Sequence, residues 1–269
     1  MITASCIAFI SIGLTLGLMG EGGYILGIPV LVYVMGYCAE QSSTYSLFII
    51  GIASLIGTLD YLRKGNLSLE AIFQFALASI VGVFCVRKFV MPLIPETITG
   101  FGYNVFKQTL IMVVFSILII LSSINMIRKQ QSNRVSDTKW NDFSNSPLGL
   151  LVIILLGALV GFITGFVGIG GGFIIVSVLV HFLRLELKKT IGTSLCIIAL
   201  NSLIGFLGNI ENQAIDWLVL GSITICCIIG LVLGVLLSNK IASKNLKPAF
   251  GWFSLCVGIF AIIKETSLH

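Results

Sequence analysis

The chain is a succession of apolar runs separated by short polar interruptions, and ten runs can be marked along it. The first five cover residues 2–19, 23–37, 43–62, 69–91 and 104–127; the second five cover 148–167, 171–183, 190–209, 215–238 and 248–264. A helix needs roughly 20 apolar residues to cross a bilayer, and most of the runs approach that length. The pattern lacks the ~10-residue alternating stretches of a membrane β-barrel. The second run of each set has only 13–15 residues. As helix it extends about 20–22 Å, against a hydrocarbon core of about 30 Å. The fold class predicted is an all-α polytopic membrane protein with two glycine-broken, half-length helices.

The two sets of five repeat each other. A shift of 148 residues, without a gap, aligns Gly13 with Gly161, Ser46 with Ser194, Ser54-Leu-Ile-Gly57 with Ser202-Leu-Ile-Gly205, and Gly82 with Gly230. The expected organisation is a first membrane repeat over 1–127, a cytoplasmic linker over 128–147 and a second membrane repeat over 148–269. Five is an odd number, so the repeats enter the membrane from opposite faces. They are expected to be inverted about a pseudo-two-fold axis in the membrane plane.

Composition narrows the class further. A mean hydropathy of +1.08 with only 10% charged residues excludes an ordinary soluble domain, in which about 25% of residues are charged. The net charge of +5 does not indicate nucleic acid, because the basic residues sit in short loops between runs. Twelve of the sixteen Lys and Arg fall in alternate loops: Arg63 and Lys64, the 128–139 stretch, 184–189 and 240–247. The other four, Arg87, Lys88, Lys107 and Lys264, fall on the opposite side. The positive-inside rule then makes the first side cytoplasmic and leaves both termini outside the cell membrane. The first charged residue is Glu21, so residues 2–19 read as a retained span rather than a cleaved leader. The seven cysteines form no CxxC pair and mostly lie in apolar runs, where cysteine acts as a small hydrophobe. With only His181 and His269 as histidines, no metal site and no cofactor are expected.

Candidate chemistry gathers at two glycine-rich breaks. The first is Gly17-Leu-Met-Gly20-Glu21-Gly22-Gly23-Tyr24; the second is Gly165-Phe-Val-Gly168-Ile169-Gly170-Gly171-Gly172. Each glycine costs about 1 kcal/mol relative to alanine inside a helix. Backbone freed from helix within a bilayer must be buried in protein or line a polar cavity. Each break is followed by a new apolar run, which puts a helix N-terminus, with its free N–H groups and positive dipole end, at the break. Two such ends brought together make an anion site that needs few cationic side chains. Glycine for close helix packing, as at Gly230 and Gly234, is the bland alternative. A nucleotide phosphate loop is excluded by the lack of a following Gly-Lys-Ser/Thr.

Polar residues inside the runs supply further candidates. Ser46, Ser54, Thr193, Ser194, Asn201 and Ser202 begin or sit inside the third run of each set, where hydroxyl and amide groups can solvate an oxyanion. They can equally bond to neighbouring backbone. Glu21 alone places a carboxylate in a break, and ionisable groups at membrane depth are functional candidates, here for coupling transport to protons. The candidate substrate-binding set is Gly20, Gly22, Gly23, Tyr24, Ser46, Gly168, Gly170, Gly171, Gly172, Thr193, Ser194 and Asn201. Asp60 beside Lys64 reads as a local ion pair, and Lys107 as a snorkelling side chain.

The paired Gly-x-x-Gly-x-Gly-Gly breaks, the continuation Gly22-Gly23-Tyr-Ile-Leu-Gly-Ile-Pro29, Gly192-Thr-Ser-Leu195 and Tyr61-Leu-Arg-Lys-Gly65-Asn resemble the TauE/SafE sulfite exporter family, also called the toluene-sulfonate uptake permease family. The resemblance covers nearly the whole chain. It implies a secondary transporter, an exporter of small sulfur-containing anions such as sulfite, sulfoacetate or other organosulfonates. An anion channel or a transporter of carboxylates is the alternative, and a membrane enzyme lacks its nucleophile or metal ligands. Departures are Glu21 opposite Ile169, Ser177 where the first half has Pro29, and Tyr45-Ser-Leu47 opposite Thr193-Ser-Leu195. The expected partners are a small anion and the lipid bilayer, with no nucleic acid; a homodimer is compatible with the sequence.

Overall fold

The computed structural model describes residues 2–19, 26–100, 103–127, 147–168, 170–181, 187–210, 213, 215–238 and 243–267. Almost all of them are helical. In the N-terminal half these are α1 (Ile2–Met19), α2 (Gly27–Pro29, continued by a π-helical stretch Val30–Val34), α3 (Ala39–Arg63), α4 (Leu69–Cys85, a π-turn Val86–Val90, then Met91–Leu93) and α5 (Lys107–Ile127). In the C-terminal half they are α6 (Pro147–Val167), α7 (Gly172–His181), α8 (Leu187–Leu207), α9 (Trp217–Ser238) and α10 (Ser243–Ser267). Among the described residues, six helices are long and apolar enough to span a membrane: those at 39–63, 69–93, 107–124, 149–167, 189–207 and 217–237. With ten residues, α7 extends only about 15 Å, half a bilayer core. The predicted all-α polytopic class is what the structure shows.

One element was not expected. Strand β1 (Thr97–Gly100) pairs antiparallel with β2 (Tyr103–Phe106), Thr97 opposite Phe106 and Gly100 opposite Tyr103. The run predicted as helix from residue 104 therefore becomes helix only at Lys107. Thr97, Ile98, Thr99, Tyr103, Val105 and Phe106 are β-branched or aromatic, the types that favour a pleated ribbon.

The distribution of polarity is inverted relative to a soluble protein. Phe73, Leu77 and Leu218 are 75%, 69% and 81% exposed, whereas Ser42, Ser43, Thr44, Ser46, Ser54 and Ser79 are buried. Lipid is as apolar as leucine, so helix association in it draws on close packing and interhelical hydrogen bonds. Small residues supply the first. On α1, Gly13 and Gly17 lie against the backbone of α9 at Cys227, Leu231 and Val235, and Gly230 and Gly234 of α9 lie against Ile10 and Leu14. On α6, Gly161 lies against Ser79 of α4, and Gly82 of α4 lies against Ala158 and Phe162.

These two interfaces repeat each other residue by residue. Gly13 touching Cys227 and Gly161 touching Ser79 are the same contact under the 148-residue shift, with the halves exchanged. Gly82 on Ala158 and Phe162, and Gly230 on Ile10 and Leu14, are another such pair. Helices α3 and α8 pack on each other, as do α5 and α10, so each of these pairs maps onto itself under the same exchange. Hydrogen bonds follow suit. The Ser68 N–H donates to Thr193 Oγ1 at 3.1 Å, and the Asp216 N–H donates to the Tyr45 hydroxyl at 2.8 Å. Ser68 and Asp216 are the N-cap positions of α4 and α9; Thr193 and Tyr45 sit in the corresponding places of α8 and α3.

Candidate functional site

The second glycine break joins α6 to α7, and its backbone explains its composition. Gly168, Gly170 and Gly171 have φ of 84°, 71° and 68°, the left-handed region that disfavours every side chain. Each is also hemmed in by a polar group from a different place in the chain. A Cβ at Gly168 would collide with Ser43 Oγ of α3 and Arg87 Nη2 of α4. At Gly170 it would meet Ser202 Oγ of α8, and at Gly171 Thr164 Oγ1 of α6. Gly172 then opens α7, whose first N–H groups have no acceptor within their own helix. A helix N-terminus and four polar side chains thus surround one short stretch of backbone.

Most of these groups lack partners among the described residues. Ser202 Oγ, Thr164 Oγ1 and both Nε and Nη1 of Arg87 are buried without a hydrogen bond. Arg87 is fully buried, with Nη2 donating to Ser43 Oγ as the only hydrogen bond of its guanidinium there. It rides on the π-turn Val86–Val90 of α4, with Gly208, in the turn just after α8, against its Cβ. Such turns insert an extra residue into a helix and recur at functional sites. Nearby, Glu40 in the first turn of α3 pairs with Lys107 Nζ at 3.0 Å, so Lys107 is anchored rather than snorkelling. Asn209 Nδ2 donates to Thr44 Oγ1 at 2.9 Å, leaving Asn209 Oδ1 unpartnered.

The residues singled out from sequence distribute as follows. Gly168, Gly170, Gly171 and Gly172 are brought together at this break. Asn201 lies one residue before Ser202; its Oδ1 accepts from Ser79 Oγ at 3.0 Å and its Nδ2 is unpartnered. Ser46 is buried with an unpartnered hydroxyl in a small, largely apolar cavity lined by Phe9, Ile12, Leu16, Ile50 and Ala53. Thr193 is taken up by the Ser68 N–H, and Ser194 Oγ donates to the Ile191 carbonyl at 2.9 Å, so both hydroxyls have local partners. Gly20, Glu21, Gly22, Gly23 and Tyr24 of the first break lie outside the described residues. The ion pair read between Asp60 and Lys64 is present at 2.5 Å.

Arg87, Ser43 and Thr164 are not among the sequence candidates, whereas Ser202 is one of the span hydroxyls read from the sequence. Arg87 was counted as a loop cation beside Lys88. The signal for it was available: Phe89-Val-Met91 continue the apolar run beyond it, so the helix had not ended. Ser43 and Thr164 carry no such mark, since hydroxyls in membrane helices usually bond to their own backbone.

Chemically, the arrangement offers hydroxyl and guanidinium donors plus a helix N-terminus, and the described residues contain no cluster of His, Cys, Asp or Glu suited to a metal ion. That donor set suits an anion.

Comparison with known proteins agrees with this picture. The family model described as "Sulfite exporter TauE/SafE" matches residues 5–261. A "Probable membrane transporter protein" of Xylella fastidiosa (strain 9a5c) is 29% identical over 257 residues, covering 93% of this chain and 91% of the relative. A protein of the same description from Methanocaldococcus jannaschii is 23% identical over 267 residues, covering 94% and 92%. The "Probable membrane transporter protein YunE" of Bacillus subtilis (strain 168) is 22% identical over 263 residues, covering 90% and 92%. No solved structure matches the chain.

Proposed function

This chain belongs to the TauE/SafE sulfite exporter family, and from that premise we propose that it carries a small sulfur oxyanion outward across the cell membrane by secondary transport. It is an integral membrane transporter and not an enzyme. The single observation that carries the substrate reading is the second break. Three glycines with positive φ are each paired with a buried donor group, and most of those groups are unpartnered. A buried polar group without a partner costs about 1–3 kcal/mol, so a ligand with several acceptors would stabilise this cluster. Sulfite and sulfonates present three oxygens on one face. The sulfur chemistry and the outward direction rest on the family description.

In the inverted-repeat reading, the first break forms the other half of the site, and the exchange of contacts between the halves supports it. Glu21 is the proposed proton-coupling group. In this reading Glu21→Gln retains anion binding but flattens its dependence on pH between about 5 and 8, the range over which a coupling group must change charge. Equal pH slopes for the two proteins would remove Glu21 from that role.

A melting-temperature screen of the purified protein against sulfite, sulfoacetate, taurine, thiosulfate and sulfate tests the substrate class, because a true ligand stabilises by mass action. At least one sulfur oxyanion is expected to raise the melting temperature in a saturable manner. In proteoliposomes the flux of that anion should saturate and run uphill when coupled; flux that does neither indicates a channel.

A further inference from the structure

The geometry points to Arg87 as the cationic anchor of the transported anion, and to a singly charged sulfur oxyanion as the species that fits it. This inference rests on the reading of the glycine break as an anion site. An arginine with no solvent contact must have its charge answered, because an uncompensated buried charge costs several kcal/mol. No described carboxylate pairs with Arg87: Glu40, the acidic group whose field reaches it, is held by Lys107 at 3.0 Å. Ser43 occupies Nη2 alone, and Nε and Nη1 are buried without partners. Packing sets the guanidinium against Gly168, four residues before α7 opens.

At the break, Arg87 is a buried positive charge with no described carboxylate paired to it. A monoanion such as a sulfonate neutralises it and takes several donors at once. A dianion such as sulfate brings a second negative charge that no described group balances. The 148-residue shift places Val235 at the position equivalent to Arg87 and Ile191 at that of Ser43. The anchor is therefore a feature of one half only, and it breaks the pseudo-symmetry of the site.

The test is binding to the purified full-length protein, wild type against Arg87→Gln, with methanesulfonate, sulfate and acetate as probes and melting temperature as readout. Methanesulfonate is expected to stabilise the wild type, with sulfate at least tenfold weaker. Arg87→Gln should lose the methanesulfonate response while its ligand-free melting temperature stays level or rises, since a buried charge has been removed. An arginine paired for purely structural reasons would give the opposite: a lower ligand-free melting temperature and an unchanged response. That result overturns the inference, as does equal stabilisation by sulfate and methanesulfonate. If Arg87→Gln does not fold, Arg87→Lys decides: it keeps the charge but gives up the planar fork. It should then bind at least tenfold more weakly, and wild-type affinity would overturn the anchor role. An Arg87-dependent response to acetate with none to methanesulfonate would keep the anchor and remove the sulfur assignment. A methanesulfonate response that survives in Arg87→Gln does the reverse. No response to any probe overturns both.

Discussion

At the scale of single residues, two unlike hydroxyls at equivalent positions play the same part. The Thr193 hydroxyl accepts the Ser68 N–H, and the phenol of Tyr45 accepts the Asp216 N–H from the equivalent position. The sequence departure between Tyr45-Ser-Leu47 and Thr193-Ser-Leu195 thus keeps an acceptor oxygen where each following helix begins. Either one removed leaves a helix-start N–H without its partner, at about 1 kcal/mol. Thr193→Val and Tyr45→Phe are each expected to lower stability by about that amount, and the double variant by about the sum, because additivity holds for separated sites. Denaturation in detergent measures this. Loss for one variant and none for the other would mean that the two ends are not closed alike. Thr193 was legible as a residue with work to do, but its partner lies 125 positions away in sequence.

Among the elements, glycine serves two distinct purposes. At Gly171 a positive φ and Thr164 leave no room for a side chain, so Gly171→Val should abolish anion binding by filling the break. Gly13 is ordinary helix, and its added Cβ would run into the backbone of α9 at Cys227 and Leu231. Gly221 has open space where a Cβ would stand. Gly13→Ala is therefore expected to lower the melting temperature by forcing apart α1 and α9, an overpacking cost of about 1–3 kcal/mol. Gly221→Ala should be neutral or stabilising by up to about 1 kcal/mol, the helix-propensity gain. Equal melting temperatures for the two variants would refute the close α1–α9 packing. The second break was readable because several glycines within eight residues contradict helix locally. Which glycines face a neighbour was not readable, because that depends on how two helices meet.

For the whole molecule, the proposed orientation places residues 128–147 in the cytoplasm and both termini outside. It rests on the basic asymmetry of the loops, with twelve of sixteen Lys and Arg on one side. A cysteine introduced at Ser136 should stay unlabelled by an impermeant thiol reagent applied to intact cells and become labelled after permeabilisation. Labelling from outside would invert the topology. The native cysteines are free, so the background is best set in a variant lacking the exposed ones, Cys38, Cys85 and Cys256.

The amino-acid order alone carried the class of molecule, the half-length α7 and the position of the second break. Each of these follows from local chemistry: the apolar length needed to cross lipid, and the conformational freedom of glycine. It did not determine what the break faces. Arg87 beside Lys88 near the end of an apolar run has the pattern of an interfacial cation, and only the tertiary structure buries it. The burial comes from Ser43 on α3, the Gly168 backbone and Gly208 in the turn after α8, three places distant in the chain that meet when α4 packs against both α6 and α8. A solvated charge and a buried one look alike in sequence, because burial belongs to the neighbours that the fold supplies and not to the residue.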